Sequence, residues 1–321
     1  MKNIKKLVVL VLIFVLLPFA SVFGWNSHGL TLSYVVSNIY WLKKYSSIKI
    51  TPYTYKEYET QPINPDFQIK YLEGSIGDKT DAITILTTYA DEPDWGLDEN
   101  MKLSKLQILT GGPQGYRHMY YKMGPITIGA APNQIEFWFH MAEIAKSKND
   151  LYWTFRFLAR ALHYMEDLTQ PYHGTPGPTS IILKNIFSGV QGLTIMCSNH
   201  HYALEDYQGY MVNIGNPDFV KTLEENYLPI DVGNVNSLTE LGNYAASLNR
   251  ERVKILWFLE TKLFHDDVNS KNAKFKLTDD KIVKLDRKIQ TQYNEALLYS
   301  LKYFNGFSRL LLEYAKIKLN L

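Results

Sequence analysis

The chain has 321 residues, of which 46% are hydrophobic and 21% charged, as is typical of a globular protein with a sizeable core. The formal net charge of +2 is too small to predict strong electrostatic binding to nucleic acid or to a membrane surface. Cys197 is the only cysteine, so an intrachain disulfide is excluded. Any added stabilisation of the fold must come from another source, and a bound metal is suited to that role.

The N-terminal segment has the pattern of an export signal. Three lysines precede an unbroken apolar run at residues 7–17, and small residues follow just before Trp25. The run is shorter than the roughly 20 residues that a membrane-spanning helix requires. We interpret residues 1–24 as a signal peptide that is cleaved before Trp25, which predicts a secreted protein. The alternative interpretation is an uncleaved membrane anchor.

No repeat or linker divides residues 25–321, which we interpret as one domain. The strongest helical pattern is an apolar stripe from Leu151 to Met165, with steps of three and four residues. Asn149 or Asp150 can cap the start of this helix, and Pro171 ends it.

Further helices are predicted at about residues 135–146, 238–264 and 279–318. Segments 47–75 and 105–130 are rich in proline and glycine, which is typical of irregular loops. No long alternation of apolar and polar residues indicates a major sheet. The sequence therefore predicts an all-α, multi-helix protein.

Two pairs of residues with the same spacing are candidate metal ligands. His163 and Asp167 lie four residues apart on the strongest predicted helix, and His201 and Glu205 repeat that spacing. Such a pair on its own is typical of a surface ion pair. His173 lies between the two pairs, and imidazole and carboxylate together suit zinc. The combination predicts a metal site.

These motifs resemble those of the zinc-dependent phospholipases C and the S1/P1-type nucleases. The likeness covers the stretch His-Tyr-Met-Glu-Asp-Leu-Thr-Gln-Pro-Tyr-His, which ends at His173, and the later His-Tyr-Ala-Leu-Glu, which ends at Glu205. Members of this family bind three zinc ions, one of them through the mature N-terminal tryptophan. Trp25 at the predicted cleavage point matches that feature. The resemblance implies an all-α catalytic domain over residues 25–321 that hydrolyses phosphoric esters.

The resemblance also implies a full set of metal ligands. One zinc ion would be held by His173, His201 and Glu205. A second would be held by Asp91, His118 and His163, with Asp167 bridging to a third ion that Trp25 and His28 complete. Asp94 is the alternative to Asp91, and His200 is the alternative to His201. By the same resemblance, Asp91 is the candidate catalytic residue that orients or deprotonates the attacking water. Arg117 or Arg160 is a candidate to assist the phosphate.

The sequence leaves the substrate open. A phospholipid or related phosphoester is the favoured substrate, with transient contact to a membrane surface and no implied protein partner. The positions that bind choline in related phospholipases are His28, Glu92 and Gly115 here, so that aromatic box is not reproduced. One alternative is a single-strand nuclease or nucleotidase, although Met119 occupies its base-stacking position. A second alternative is an exported non-catalytic protein that uses zinc only to hold its fold.

Overall fold

The computed structural model describes residues 27–123, 126–185 and 190–321. The predicted signal peptide at 1–24 and the predicted ligand Trp25 lie outside these ranges. The described part is helical with two small two-stranded sheets, so the predicted all-α class is confirmed. None of its helices combines the length and the hydropathy needed to cross a membrane.

The helices of the described part are α1 (His28–Ser37), α2 (Ala82–Tyr89), α3 (Pro113–His118), α4 (Ala131–Ser147), α5 (Leu151–Thr169), α6 (Pro171–Gly174), α7 (Thr179–Asn185), α8 (Val190–Asn213), α9 (Pro217–Glu224), α10 (Leu238–Arg250), α11 (Val253–Phe264), α12 (Asp266–Asn269), α13 (Asp279–Val283) and α14 (Arg287–Lys318). Short 3-10 turns occur at Tyr40–Lys44, Lys56–Tyr58, Glu92–Trp95, Lys105–Thr110 and Val232–Asn234. The strands are β1 (Ile48–Lys49), β2 (Lys79–Thr80), β3 (Tyr121–Met123) and β4 (Ile126–Ile128).

Helix α5 is the centre of the core. The Asp150 side chain caps it by accepting a hydrogen bond from the Trp153 amide, and Gln170 ends it before Pro171. Every residue from Tyr152 to Thr169 is buried, because α2, α4, α10 and α14 all pack around this helix. The charged side chains of α5 are therefore buried along with its apolar ones, and each of them needs a partner.

Two predicted helical segments are each divided into two helices. The segment at 238–264 forms α10 and α11, and the segment at 279–318 forms α13 and α14. The Asp286 side chain accepts the Lys288 and Ile289 amides and so begins α14. The apolar period continued across both breaks, so periodicity alone could not locate them.

The predicted loop at 105–130 contains more structure than expected. It holds α3 and the antiparallel pair β3–β4, in which Tyr121 is opposite Ile128. The amide of Tyr120 donates to the carbonyl of His173 at 2.8 Å. This bond joins the segment that leads into the hairpin to the short helix that carries one of the predicted metal ligands.

Candidate metal centre

Five structural elements bring the predicted ligands into one buried region. The central helix α5 supplies His163 and Asp167, whose four-residue spacing places them on one face. Helix α8 supplies His201 and Glu205 with the same spacing. The remaining histidines are His28 at the start of α1, His118 at the end of α3 and His173 on α6.

Three compact groups of ligand-type atoms occur among the described residues. In each group the donor atoms lie within 4.8 Å of one another. The groups are His28, Asp94 and His163; His118, His163 and Asp167; and His173, His201 and Glu205. Imidazole nitrogen with carboxylate oxygen is the donor set that zinc takes in proteins. These groups could hold metal ions.

Asp167 is the carboxylate on which the centre converges. Its Oδ2 lies 2.9 Å from His118 Nδ1 and 3.3 Å from His163 Nε2. Its Oδ1 lies 3.3 Å from His173 Nδ1 and 3.5 Å from His28 Nε2. Burial alone would raise the pKa of Asp167, but His173, His163 and His118 outweigh burial and hold this pKa well below its usual range.

The surroundings of Asp167 fit a cation. Both carboxylate oxygens are buried, and neither receives an aligned hydrogen bond from any group in the described part of the chain. A buried carboxylate without donors is costly, whereas two oxygens facing four imidazole nitrogens suit coordinated ions between them. Residues arranged in this way fit the bridging role that the resemblance assigned to Asp167.

The outer nitrogens of three imidazoles have partners that fix their rings. His163 Nδ1 faces the Ala90 carbonyl at 2.7 Å, and His28 Nδ1 faces Glu166 Oε2 at 2.8 Å. His118 Nε2 faces an oxygen of Asp98 at 3.2 Å. The remaining nitrogen of each ring is thereby directed toward the centre. This pattern is typical of metal-ligating histidines, whose second nitrogen is held by a carboxylate or carbonyl.

The third group is held by hydrogen bonds of its own. His173 Nε2 and His201 Nε2 approach the same oxygen of Glu205, at 3.1 and 2.8 Å. His173 Nδ1 lies 3.0 Å from the carbonyl of His118. Burial alone would raise the pKa of Glu205, but the two histidines lower it to about 2. Glu205 is therefore ionised, as a metal ligand must be.

Carboxylates also control the protonation of the histidines. Burial lowers the pKa of His118, but Asp167, Asp98 and Asp94 together raise it to about 10. The pKa of His173 is also raised, because Asp167 and Glu205 outweigh its burial. In the absence of a metal, protons compensate the carboxylates. A metal ion held here would therefore compete with protons at these rings.

The structure groups Asp94 with the histidines in preference to Asp91. Asp94 Oδ1 lies 3.5 Å from His118 Nδ1 and 3.8 Å from His163 Nε2. Asp91 is absent from the three groups, and its Oδ2 instead accepts the Gly29 amide at 3.3 Å. The alternative ligand named from the sequence is thus the one that falls in a group with the histidines. The 3-10 turn Glu92–Trp95 carries Asp94 inward, and sequence spacing did not define that turn.

Asp91 still lies beside the centre. Its Oδ1 is buried and accepts no hydrogen bond from the described residues. Burial raises the pKa of Asp91, although the nearby His28 and His163 oppose that rise. A buried carboxyl with a raised pKa and a free oxygen suits a proton acceptor more than a second metal ligand.

The expected roles of two arginines are corrected by their burial. Arg117 donates to Asp98 at 2.5 Å and also to the Pro62 carbonyl, and Arg160 pairs with Glu92 at 2.8 Å. The Arg160 side chain is buried, with 1% of it exposed. Arg117 serves a buried carboxylate, and Arg160 lines a cavity that shares no residue with the three groups, so neither supports the expected assistance to a phosphate.

Sequence reasoning missed the outer partners Glu166 and Asp98. Glu166 is one of the unspecified positions inside the His-x-x-x-Asp motif, so the motif assigned it no role. Its carboxylate also accepts a hydrogen bond from Ser308 on α14. The Asp98 carboxylate is the hydrogen-bond partner of His118, Arg117 and Tyr164. Its position in the sequence carried no signal, because these partners come from distant elements.

An open groove adjoins the centre on the side of Glu205. Its volume is about 770 Å³, and its walls combine aromatic, aliphatic and charged side chains. The lining includes Leu30, Tyr202, Glu205, Tyr210 and Lys276. A ligand in this groove would contact the third group through Glu205.

Comparisons with known proteins add little to this geometry. No family model matches the chain, and no curated protein matches it. Among solved structures the chain is similar to the alpha-toxin of Clostridium perfringens isolated from avian strain SWCP, at 15% identity and a TM-score of 0.34. The match covers 73% of this chain and 55% of that one, so the chain spans about half the toxin's length.

Proposed function

We propose that this protein is an exported zinc-dependent hydrolase of phosphoric esters, with a phospholipid as the favoured substrate. The observation that carries the proposal is the buried Asp167 carboxylate, which faces four imidazole nitrogens and receives no aligned hydrogen bond from the described residues. Such an arrangement is costly without a cation and is suited to more than one ion.

The three groups suggest how the ions would be divided. His173, His201 and Glu205 would hold one ion. The other two groups share His163, and they would hold a second ion with His118 and Asp167 and a third with His28 and Asp94. Trp25 would complete the third site through its amino group once the signal peptide is removed. A count of three zinc ions is therefore part of the proposal.

When bound, such ions supply Lewis-acid stabilisation of a phosphate and lower the pKa of water. The protein's own residues supply position and proton transfer. Asp91 would accept the proton of the attacking water through its free Oδ1. Glu166 and Asp98 would keep the rings of His28 and His118 in their ligating orientation.

The groove beside Glu205 supports an amphipathic substrate. Leu30 and Leu277 form part of its apolar wall, Tyr202 and Tyr210 offer aromatic surface, and Lys276 offers a charge for an anionic group. Val283, which follows the groove residue Ile282, is 85% exposed. Apolar side chains at such a rim suit transient contact with a lipid surface.

The second candidate is a single-strand nuclease or nucleotidase on the same metal centre. The net charge of +2 argues against this candidate, because proteins that bind nucleic acid normally contact the backbone phosphates with many Lys and Arg side chains. The third candidate is a protein that uses zinc only to hold its fold. The raised pKa and free oxygen of Asp91 favour catalysis over that role.

The test uses residues 25–321 with a native Trp25 terminus. Zinc per chain is measured by elemental analysis in the wild type, in a His163→Ala, Glu205→Ala double variant, and in a His140→Ala control. His140 is exposed and pairs with Glu143 outside the centre. We expect about three zinc ions, a lower count in the double variant and an unchanged count in the control.

Zinc-loaded protein is then assayed on phospholipid vesicles and on single-stranded DNA. Release of diacylglycerol supports the favoured substrate, and acid-soluble nucleotides support the second candidate. Full zinc occupancy without turnover of any phosphoester would favour the structural role. Folded protein that binds no zinc would contradict the proposal as a whole.

A further inference from the structure

The N-terminal half of α5 carries more buried positive charge than its partner neutralises. Arg156 and Arg160 are both buried and both bind Glu92. Arg156 binds it through two nitrogens and also donates to the Tyr152 hydroxyl and the Lys70 carbonyl. Two guanidinium cations therefore face one carboxylate. Buried charges in proteins are normally paired, so one of the two has charge to spare.

Arg160 is the guanidinium with the spare charge. It gives Glu92 only its Nε, at 2.8 Å, while its Nη2 is buried with no hydrogen-bond partner among the described residues. The guanidinium lies over the ring of Trp138, 4.5 Å from the centroid. This contact and the bond to Glu92 fix the group in place. A fixed, buried donor without an acceptor indicates that a ligand or water is needed.

A small cavity lies against Arg160. Its volume is about 210 Å³, and it shares no lining residue with the three metal-binding groups or with the groove beside Glu205. One part of its wall is apolar and is formed by Ile63, Phe67, Ile69 and Leu97. The polar part comprises Arg160, Tyr53, Glu59, Asn64 and Lys56.

We propose that this cavity binds a small organic anion, a carboxylate with a short apolar chain. The Arg160 guanidinium, which lines the cavity, would donate to the carboxylate, and the apolar wall would cover the chain. Lys56 at the cavity adds a second positive charge, whereas Glu59 opposes an anion. Glu59 accepts the Tyr53 hydroxyl and forms no ion pair with Arg160, whose ion pair among the described residues is with Glu92. The apolar wall favours an organic anion over inorganic phosphate.

The first experiment is calorimetric titration of the zinc-loaded, full mature chain with acetate, butyrate and hexanoate. Inorganic phosphate and 1-butanol serve as the anion without a chain and the chain without a charge. We expect one carboxylate per chain, with affinity rising by up to roughly fourfold for each buried methylene group. Butanol should not bind. Equal affinity for phosphate and the three carboxylates, or no binding of any carboxylate, would overturn the proposal.

Two variants locate the site. Arg160→Met should weaken butyrate binding about tenfold or more, since it removes the charged donor. It leaves Glu92 paired with Arg156, and circular dichroism checks that the variant folds. Glu59→Gln removes the opposing charge and should strengthen binding severalfold without disturbing the core. Unchanged butyrate affinity in folded Arg160→Met, or weaker binding in Glu59→Gln, would place the anion elsewhere.

Discussion

Two buried carboxylates, Asp167 and Glu260, lie in the same core with opposite surroundings. Glu260 on α11 accepts the Tyr172 hydroxyl at 2.6 Å and the Tyr293 hydroxyl at 3.0 Å, and it lies 2.7 Å from His200 Nδ1. Asp167 faces only imidazole nitrogens, none aligned as a hydrogen-bond donor within the described ranges. Protein donors satisfy Glu260, whereas no donor from the described residues is aligned on either oxygen of Asp167.

The same contrast separates two histidines that are adjacent in the sequence. His200 stacks on Trp257 with ring centroids 3.5 Å apart and binds Glu260. His201 faces Glu205, four residues later on the same helix. Pairing with a well-satisfied carboxylate indicates a structural histidine. Pairing within the group that also contains His173 indicates a metal-binding one.

The largest effect is expected from replacing Asp167, the carboxylate without an aligned donor. Asp167→Asn keeps the size of the side chain but removes the charge that bridging ions require, so zinc per chain should fall by at least one ion and phosphoester hydrolysis should be lost. Elemental analysis and the phospholipid assay measure both. Full zinc content and normal turnover in this variant would show that the unsatisfied carboxylate has no metal role.

A third buried carboxylate, Glu92, is expected to contribute to stability against acid. Burial alone would raise its pKa, but Arg160 and Arg156 lower it to about 2 from the usual 4.5. Its contribution is therefore fully present above pH 4.5 and is lost as the pH falls toward 2, an effect of about 3 kcal/mol.

Glu92→Gln should destabilise the fold at neutral pH by about 3–5 kcal/mol, because it leaves two buried guanidinium groups unpaired. It should also flatten the pH dependence of unfolding below pH 4.5. Urea unfolding of the wild type and the variant at several pH values measures both effects. Parallel stability curves would show that Glu92 does not titrate with folding.

At Glu260 we expect a loss of stability without a loss of zinc. Glu260→Gln keeps the shape but weakens three hydrogen bonds to a charged acceptor, which should cost about 2–3 kcal/mol. The free energy of unfolding and the zinc content are measured on the same preparation. If zinc fell as far as in Asp167→Asn, the distinction between the two carboxylates would fail.

The smallest expected effect is that of replacing Glu166, a carboxylate that contacts a proposed ligand but is not one itself. Glu166→Gln removes the charged partner of His28 but none of the proposed ligands. Zinc affinity at that site should fall by about 10–100-fold, while the number of sites stays the same. Competition with a zinc-binding dye measures the affinity, and Glu143→Gln on the exposed face of α4 is the matched control. Equal affinities in the two variants would remove Glu166 from the metal centre.

The sequence predicted those parts of the site that a helix sets by its own period. His163 with Asp167 and His201 with Glu205 needed only a four-residue step. The choice between Asp91 and Asp94 depended on how a tight turn rotates its carboxylates, and periodicity does not describe that rotation. Glu166, Asp98 and the carbonyl of Ala90 act across long sequence separations, so local patterns could not identify them.

The complete burial of α5 has a consequence for exchange of its amide protons with solvent. Its amides from Trp153 onward are covered by α2, α4, α10 and α14, so they should exchange only through opening of the whole core. A metal bound at His163 and Asp167 stabilises that closed state. Slower deuterium uptake on metal loading should therefore extend to the first turns of the helix, around Trp153 and Arg156, which carry none of the proposed metal ligands.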